Sequence, residues 1–415
     1  MTSAVVFLQE SSAFLQITER KPHMLVSIAI ILLSGLMAGW LFEQLHLPAL
    51  TGRILTGILI GPYALNLIST DILNVSADLR RIALIIILIR AGLKLDLGDL
   101  RKAGRPAFLL CFVPACFEIA GTVLLAPRLL HLSLLESAIL GSVLAAVSPA
   151  VVVPKMIKLI DEKYGTEKQI PQMILAGASV DDVVVIVLFT TFTTIANGGE
   201  VSLLRFAMVP VSVLTGMAAG LLIGRVFVWF YNRYHIRDTV KLIVLFSIAF
   251  LLNGLEAAFP SLPFASLIAI MFIGIGVLRN KEVLGVRLAI RSDKLWAVAE
   301  IFLFVLVGAS VRIEHALQAG FLMVLLLFGA LLFRMAGTAL SVSGTRLNRK
   351  ERLFCMMAYT PKATVQAAIG GIPLAMGLSC GDLVLTCSVV AILLTAPLGA
   401  FLIDNFYKRL LEHDG

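Results

Sequence analysis

Charge is what this chain lacks. Of 415 residues only 14% are Asp, Glu, Lys or Arg, whereas 59% are hydrophobic and the mean hydropathy is +0.97. A soluble domain carries about 25% charged and about 45–50% apolar residues. The shortfall excludes an ordinary cytosolic enzyme and a disordered chain. Cysteine is sparse as well: Cys111, Cys116, Cys355, Cys380 and Cys387 lie within or beside apolar stretches, odd in number and without a C-x-x-C. That excludes a disulfide scaffold and a metal knuckle. No H-E-x-x-H, G-x-G-D, G-x-G-x-x-G or Walker motif occurs, which argues against a protease and a built-in nucleotide domain. Residues 1–23 carry Arg20 and Lys21 late, the wrong order for a cleavable signal. No cofactor is expected.

What is present is a succession of apolar runs near the ~20 residues a bilayer-crossing helix needs. They predict an all-α polytopic membrane protein of about thirteen spans, near residues 24–42, 49–65, 79–93, 106–126, 134–154, 170–195, 203–231, 240–257, 261–278, 295–311, 316–343, 351–376 and 382–407. The stretch 4–17 is short and interrupted and reads as interfacial. Lys and Arg alternate along this frame: 23 sit in or beside the loops after odd spans and in the C-terminal tail, against 7 on the other side. The positive-inside rule then puts the N-terminus outside and the C-terminus in the cytoplasm. The net charge of +8 is thus read as orientation in lipid, not as a nucleic-acid surface.

A few charges fall inside the apolar runs, where they are costly and mark a pathway or a pair. Arg53 and Arg90 lie near cytoplasmic loops and are expected to snorkel, and Glu300 to reach the same interface. Asp181 and Asp182 sit near the middle of IPQMILAGASVDDVVVIVLFTTF. Neighbours on a helix point about 100° apart, so one carboxylate can face a cavity and the other a helix. Two carboxylates in low dielectric favour a site that holds a proton and trades it for a hard monovalent cation. Arg334, late in span 11, cannot deprotonate and needs a permanent counter-charge; Glu118, mid-span 4, is the candidate.

Two spans look interrupted. Pro149 lies deep in AAVSPAVVVP and Pro361, followed by Lys362, opens TPKATVQAAIGG. Proline removes an intrahelical donor, and non-helical backbone at such depth is tolerated only where protein or a cavity surrounds it. Spans 4–6 carry Glu118, the Pro149 break and the Asp pair; spans 11–13 carry Arg334, the Pro361 break and a long last helix. An offset of seven spans inverts one triplet against the other, an alternating-access pattern.

These segments, with LPALTGRILTGILIGP (47–62) and LIRAGLKLD (88–96), resemble the monovalent cation:proton antiporter superfamily, and within it the Na⁺/H⁺ antiporters of the NHA type, over about residues 24–407. The resemblance implies a homodimer in lipid, with a scaffold at 24–103 and 236–312, an ion-transporting core at 104–200 and 313–415, and a linker helix at 201–235. It implies an elevator motion of core against scaffold, Asp182 as the main Na⁺ and proton site, Asp181 as its partner, and a Glu118–Arg334 pair. Many relatives carry Asp before the first break's proline; here Ser148 precedes Pro149, as in the NHA type. Balancing the half-helix charges then falls to Glu118 and Lys362. Arg rather than Lys at 334 leans toward electroneutral exchange. No long regulatory tail is expected after span 13, and the plasma (inner) membrane is the expected location.

The competing readings are a K⁺/H⁺ exchanger or a Na⁺-coupled organic anion symporter on the same architecture, and a passive channel. An intramembrane aspartyl protease would need its carboxylates on separate helices.

Overall fold

The computed structural model describes residues 23–95, 97–197, 203–234, 236–259, 262, 264–311 and 320–414. The interfacial segment expected at 4–17 lies outside them. In chain order the described helices are α1 (Met24–Gln44), α2 (Ala49–Ile60), α3 (Thr70–Asn74), α4 (Ser76–Lys94), α5 (Leu97–Leu110) and α6 (Val113–Leu129). Then come α7 (Leu134–Leu144), α8 (Pro149–Asp161), α9 (Ile170–Asn197), α10 (Leu203–Arg233), α11 (Asp238–Ala258) and α12 (Ser266–Asn280). The last are α13 (Glu282–Ala309), α14 (Gly320–Ser341), α15 (Arg349–Ala358), α16 (Thr364–Ile369), α17 (Ile372–Ala375) and α18 (Gly381–Leu410). Eight helical stretches among the described residues are long and apolar enough to cross a membrane, and three shorter apolar helices accompany them. All five cysteines are free.

Helices apolar on every side find no preferred face by hydrophobicity, so small residues decide which approach closely. Gly308 of α13 faces Gly57 of α2, and a methyl group there would lie 3.1 Å from the Gly57 Cα. Gly274 of α12 meets α4 so tightly that a methyl would lie 2.8 Å from the Gly92 carbonyl carbon. These contacts join α2, α4, α12 and α13, with α1 on α2 and α10 on α12. A second set of contacts joins α6 to α7 and α14, α9 to α5, α7 and α8, and α15 to α18.

Both expected breaks are real interruptions, not kinks. Helix α7 starts on a capping box of Ser133 with Glu136 and ends at Leu144; α8 begins at Pro149. Proline at the first helical position costs nothing, because its missing N–H would have no partner there. Helix α15 starts on the same device, Asn348 with Glu351, and ends at Ala358, while α16 begins at Thr364.

Two expectations change. The helix that contains the stretch 295–311 begins earlier, at Glu282. Charges in this stretch are paired with neighbouring helices: Arg291 donates to Asp238 of α11 at 2.9 Å, and Asp293 accepts from Lys94 of α4 at 2.8 Å and from Arg90 of α4. Arg53 and Arg90 do not simply snorkel either. Arg53 pairs with Glu300 at 2.9 Å, so two groups expected to reach water separately neutralise each other between α2 and α13.

The chain's end clamps the loop between α8 and α9. Gly165 N–H donates to the Glu412 carbonyl at 2.9 Å and Asp414 N–H to the Lys163 carbonyl at 2.8 Å. Lys168 reaches Glu351 at 2.6 Å and Glu412 at 2.9 Å, and these bonds hold its ammonium above the usual lysine range. A raised value in the folded state stabilises below the unfolded value, about 10.4, and is lost as pH rises through the folded one. Lys168→Met is therefore expected to lower the melting temperature by a constant amount between pH 7 and 9, with the gap to wild type closing above pH ~10.4. A gap unchanged across that alkaline range in a thermal-shift series would contradict the assignment.

Candidate functional site

A helix that stops inside a protein leaves its last carbonyls without intrahelical donors. At the end of α7 these donors come from far along the chain. Lys362 Nζ donates to the Leu144 carbonyl at 2.6 Å, and Gln366 Nε2 donates to Ala146 at 2.9 Å and Leu144 at 3.3 Å. Arg334 donates to the Ala145 carbonyl. The same arginine donates through Nε to the Tyr359 carbonyl at 2.7 Å, just past the end of α15, and its guanidinium lies 5.5 Å from the Tyr359 ring centroid. One cation thus serves the negative ends of both interrupted helices, where positive charge is favoured. The two breaks touch directly: Ser148 N–H donates to the Pro361 carbonyl at 2.8 Å. Thr395 of α18 receives the Lys362 N–H at 3.0 Å.

Carboxylates complete the arrangement. Glu118 of α6 lies 3.0 Å from Arg334 through Oε2 and 2.6 Å from Lys362 through Oε1. Asp181 Oδ2 accepts from Arg334 Nη2 at 2.8 Å and from the Val147 N–H at 2.8 Å. All four charged groups are fully buried. Two cations and two anions cancel, which is the condition for such groups to persist in low dielectric. Asp182 stands outside this balance. It is 9% exposed and makes no hydrogen bond or ion pair with the described residues. The adjacent carboxylates differ in their partners: Asp181 is bonded into the charge cluster, and Asp182 Oδ1 has no hydrogen-bond partner.

Several buried oxygens at the breaks and the pair lack a partner: Asp181 Oδ1, Asp182 Oδ1, Ser148 Oγ and Thr364 Oγ1. Oxygen ligands beside interrupted helices are the chemistry that takes Na⁺. Pro149 and Pro361 act through the backbone, one by starting α8 and the other by lending its carbonyl to Ser148. The double use of Glu118 by Arg334 and Lys362 was not read from the sequence, nor were the roles of Gln366, Tyr359 and Thr395. Gln366 carried a signal: it is an amide side chain four residues after Lys362 in an otherwise small and apolar motif.

The chain is similar to known proteins over most of its length. The family model for the sodium/hydrogen exchanger transmembrane region matches residues 28–405. The chain is 35% identical over 386 residues to human sodium/hydrogen exchanger 9B2, covering 88% of this chain and 70% of that protein. It is 31% identical over 409 residues to human sodium/hydrogen exchanger 9B1, covering 93% and 78%. In fold it is similar to the sodium proton antiporter MjNhaP1 from Methanocaldococcus jannaschii at pH 8, with a TM-score of 0.81, 19% identity, and 93% and 98% of the two chains covered.

Proposed function

The chain belongs to the sodium/hydrogen exchanger family, integral multi-pass membrane proteins that exchange cations for protons, and on that footing we propose that Asp182 is where Na⁺ or Li⁺ and H⁺ compete. It is a transporter, not an enzyme. The observation that carries the proposal is the charge balance: Arg334 and Lys362 cancel Glu118 and Asp181, and Asp182 alone is left over. A carboxylate in that position is neutralised by a proton or by an alkali cation, and one occupant excludes the other. Asp181 serves as partner, offering its unpaired Oδ1, with Ser148 and Thr364 hydroxyls as further oxygens.

Alternating access follows an elevator course in this reading. Residues 104–200 and 313–415 travel as the core, 24–103 and 236–312 stand as the scaffold that carries a homodimer contact, and 201–235 link the two. The neutral cluster supports the motion, because it moves no net charge of its own. Arg334 cannot release a proton. With Asp182 as the one exchanging carboxylate and the cluster keeping its charges, exchange is one cation for one proton, without net charge movement. The loop charges support an N-terminus outside and a C-terminus in the cytoplasm, and a plasma (inner) membrane location belongs to the same proposal.

Proteoliposomes test this. With a pH-sensitive dye inside, Na⁺ or Li⁺ is expected to move protons at a rate unchanged by an imposed K⁺/valinomycin voltage. A rate that follows voltage overturns the one-for-one stoichiometry. Response to K⁺ instead of Na⁺ and Li⁺ makes the protein a K⁺/H⁺ exchanger, and cation flux without proton movement makes it a channel or symporter.

A further inference from the structure

Four arginine or lysine side chains are buried among the described residues: Arg80, Lys241, Arg334 and Lys362. Three of them have carboxylates within ion-pair distance: Lys241 has Asp238 at 3.0 Å, and Arg334 and Lys362 share Glu118. Arg80, in the second turn of α4 and 8% exposed, has none among the described residues. Its Nε donates to the Ser76 carbonyl of its own helix at 3.3 Å, and its Nη1 has no partner. A buried charge without a partner is among the most expensive features a fold can carry.

The guanidinium lines a cavity of about 300 Å³ between α4 and the segment holding α16 and α17. Asp78, Arg80 and Arg81 line it from α4, and Ala368, Gly371 and Met376 from the other side. Gly371 makes the room: a methyl group there would lie 3.1 Å from the Arg80 Cζ and collide with Nη1. Of the two cations on the walls, Arg81 has Glu256 within electrostatic reach, whereas Arg80 has no carboxylate at ion-pair distance among the described residues. A planar guanidinium recognises oxyanions through paired N–H donors. None of these wall residues belongs to the cluster around Arg334.

We propose that this cavity binds a small, singly charged oxyanion, with Arg80 as its receptor and the Gly371 backbone giving it space. The anion would lie between α4 and the second interrupted helix and tie them together. The shared chemistry is phosphate-like, and it has two sources: a dissolved anion such as dihydrogen phosphate, or the headgroup of an anionic phospholipid.

The full-length protein, purified in non-ionic detergent and depleted of lipid, is titrated with inorganic phosphate near pH 6 at constant ionic strength. The expected result is a saturable rise in melting temperature for wild type. Arg80→Gln removes the rise, and Gly371→Ala, which displaces the guanidinium without removing its charge, at least halves it. Without phosphate, Arg80→Gln is expected to melt at or above wild type, because it deletes an unpaired buried charge. A parallel series in nanodiscs of phosphatidylcholine with and without phosphatidylglycerol separates the sources. A rise confined to phosphatidylglycerol and dependent on Arg80 assigns the oxyanion to lipid, and one seen with phosphate assigns it to solution. No saturable rise with either probe, or an equal rise in wild type and in both variants, overturns the proposal.

Discussion

Asp182→Asn is expected to reduce cation-driven proton movement in proteoliposomes to the level of protein-free vesicles while the protein stays folded. The amide has nearly the shape of the carboxylic acid, so packing around α9 is preserved. It can neither release a proton nor offer a full negative charge to Na⁺. Because Asp182 has no ion-pair partner, its replacement strands no other charge, and the melting temperature is expected to match or exceed that of wild type. Asp181→Asn is the informative contrast. Asp181 is tied to Arg334 and to the Val147 N–H, so its neutralisation leaves the cluster with excess positive charge and lowers stability as well as transport. Wild-type exchange in Asp182→Asn would remove this residue from the cycle. Equal melting losses in both aspartate variants would remove the distinction drawn between them.

The second large effect concerns stability. Arg334→Ala strands Asp181, costs Glu118 one of its two partners and frees carbonyls at the ends of α7 and α15. Breaking a buried ion pair by removing one partner costs about 3–5 kcal/mol, and this variant is expected at the upper end or beyond. Glu118→Gln leaves Lys362 without its carboxylate and belongs in the same range. The double variant Glu118→Gln with Lys362→Met removes an anion and a cation together and leaves the Arg334–Asp181 pair in place. Its destabilisation is expected to fall well short of the sum of the two single losses. Denaturant or thermal unfolding of the four proteins forms a double-mutant cycle. Additive losses would mean that Glu118 and Lys362 do not interact.

Much of this was legible in the sequence because membrane burial makes charge conspicuous. Asp181, Asp182, Glu118, Arg334 and Lys362 stood out against apolar runs, and the prolines at 149 and 361 marked interruptions that the backbone contains. Periodicity could not show which distant charges meet. Arg53 and Glu300 looked like independent groups near water because their helices are far apart in the chain, and only packing through Gly57 and Gly308 brings them together. The early start of α13 is hidden because charges that suggest a loop are paired with α11 and α4. Arg80 was hidden by company. Next to Arg81 and close to Asp78 it resembled an ordinary loop-flanking charge, and its burial depends on the second interrupted helix lying over it.

The order in which the ribosome delivers these groups has its own consequence. Glu118 emerges 216 residues before Arg334 and Asp181 emerges 153 residues before it. For that interval neither acid has the arginine that pairs with it in the folded protein. Arg334 is thus the last of the three to be synthesised, and the pairing is complete only once the carboxyl-terminal half exists.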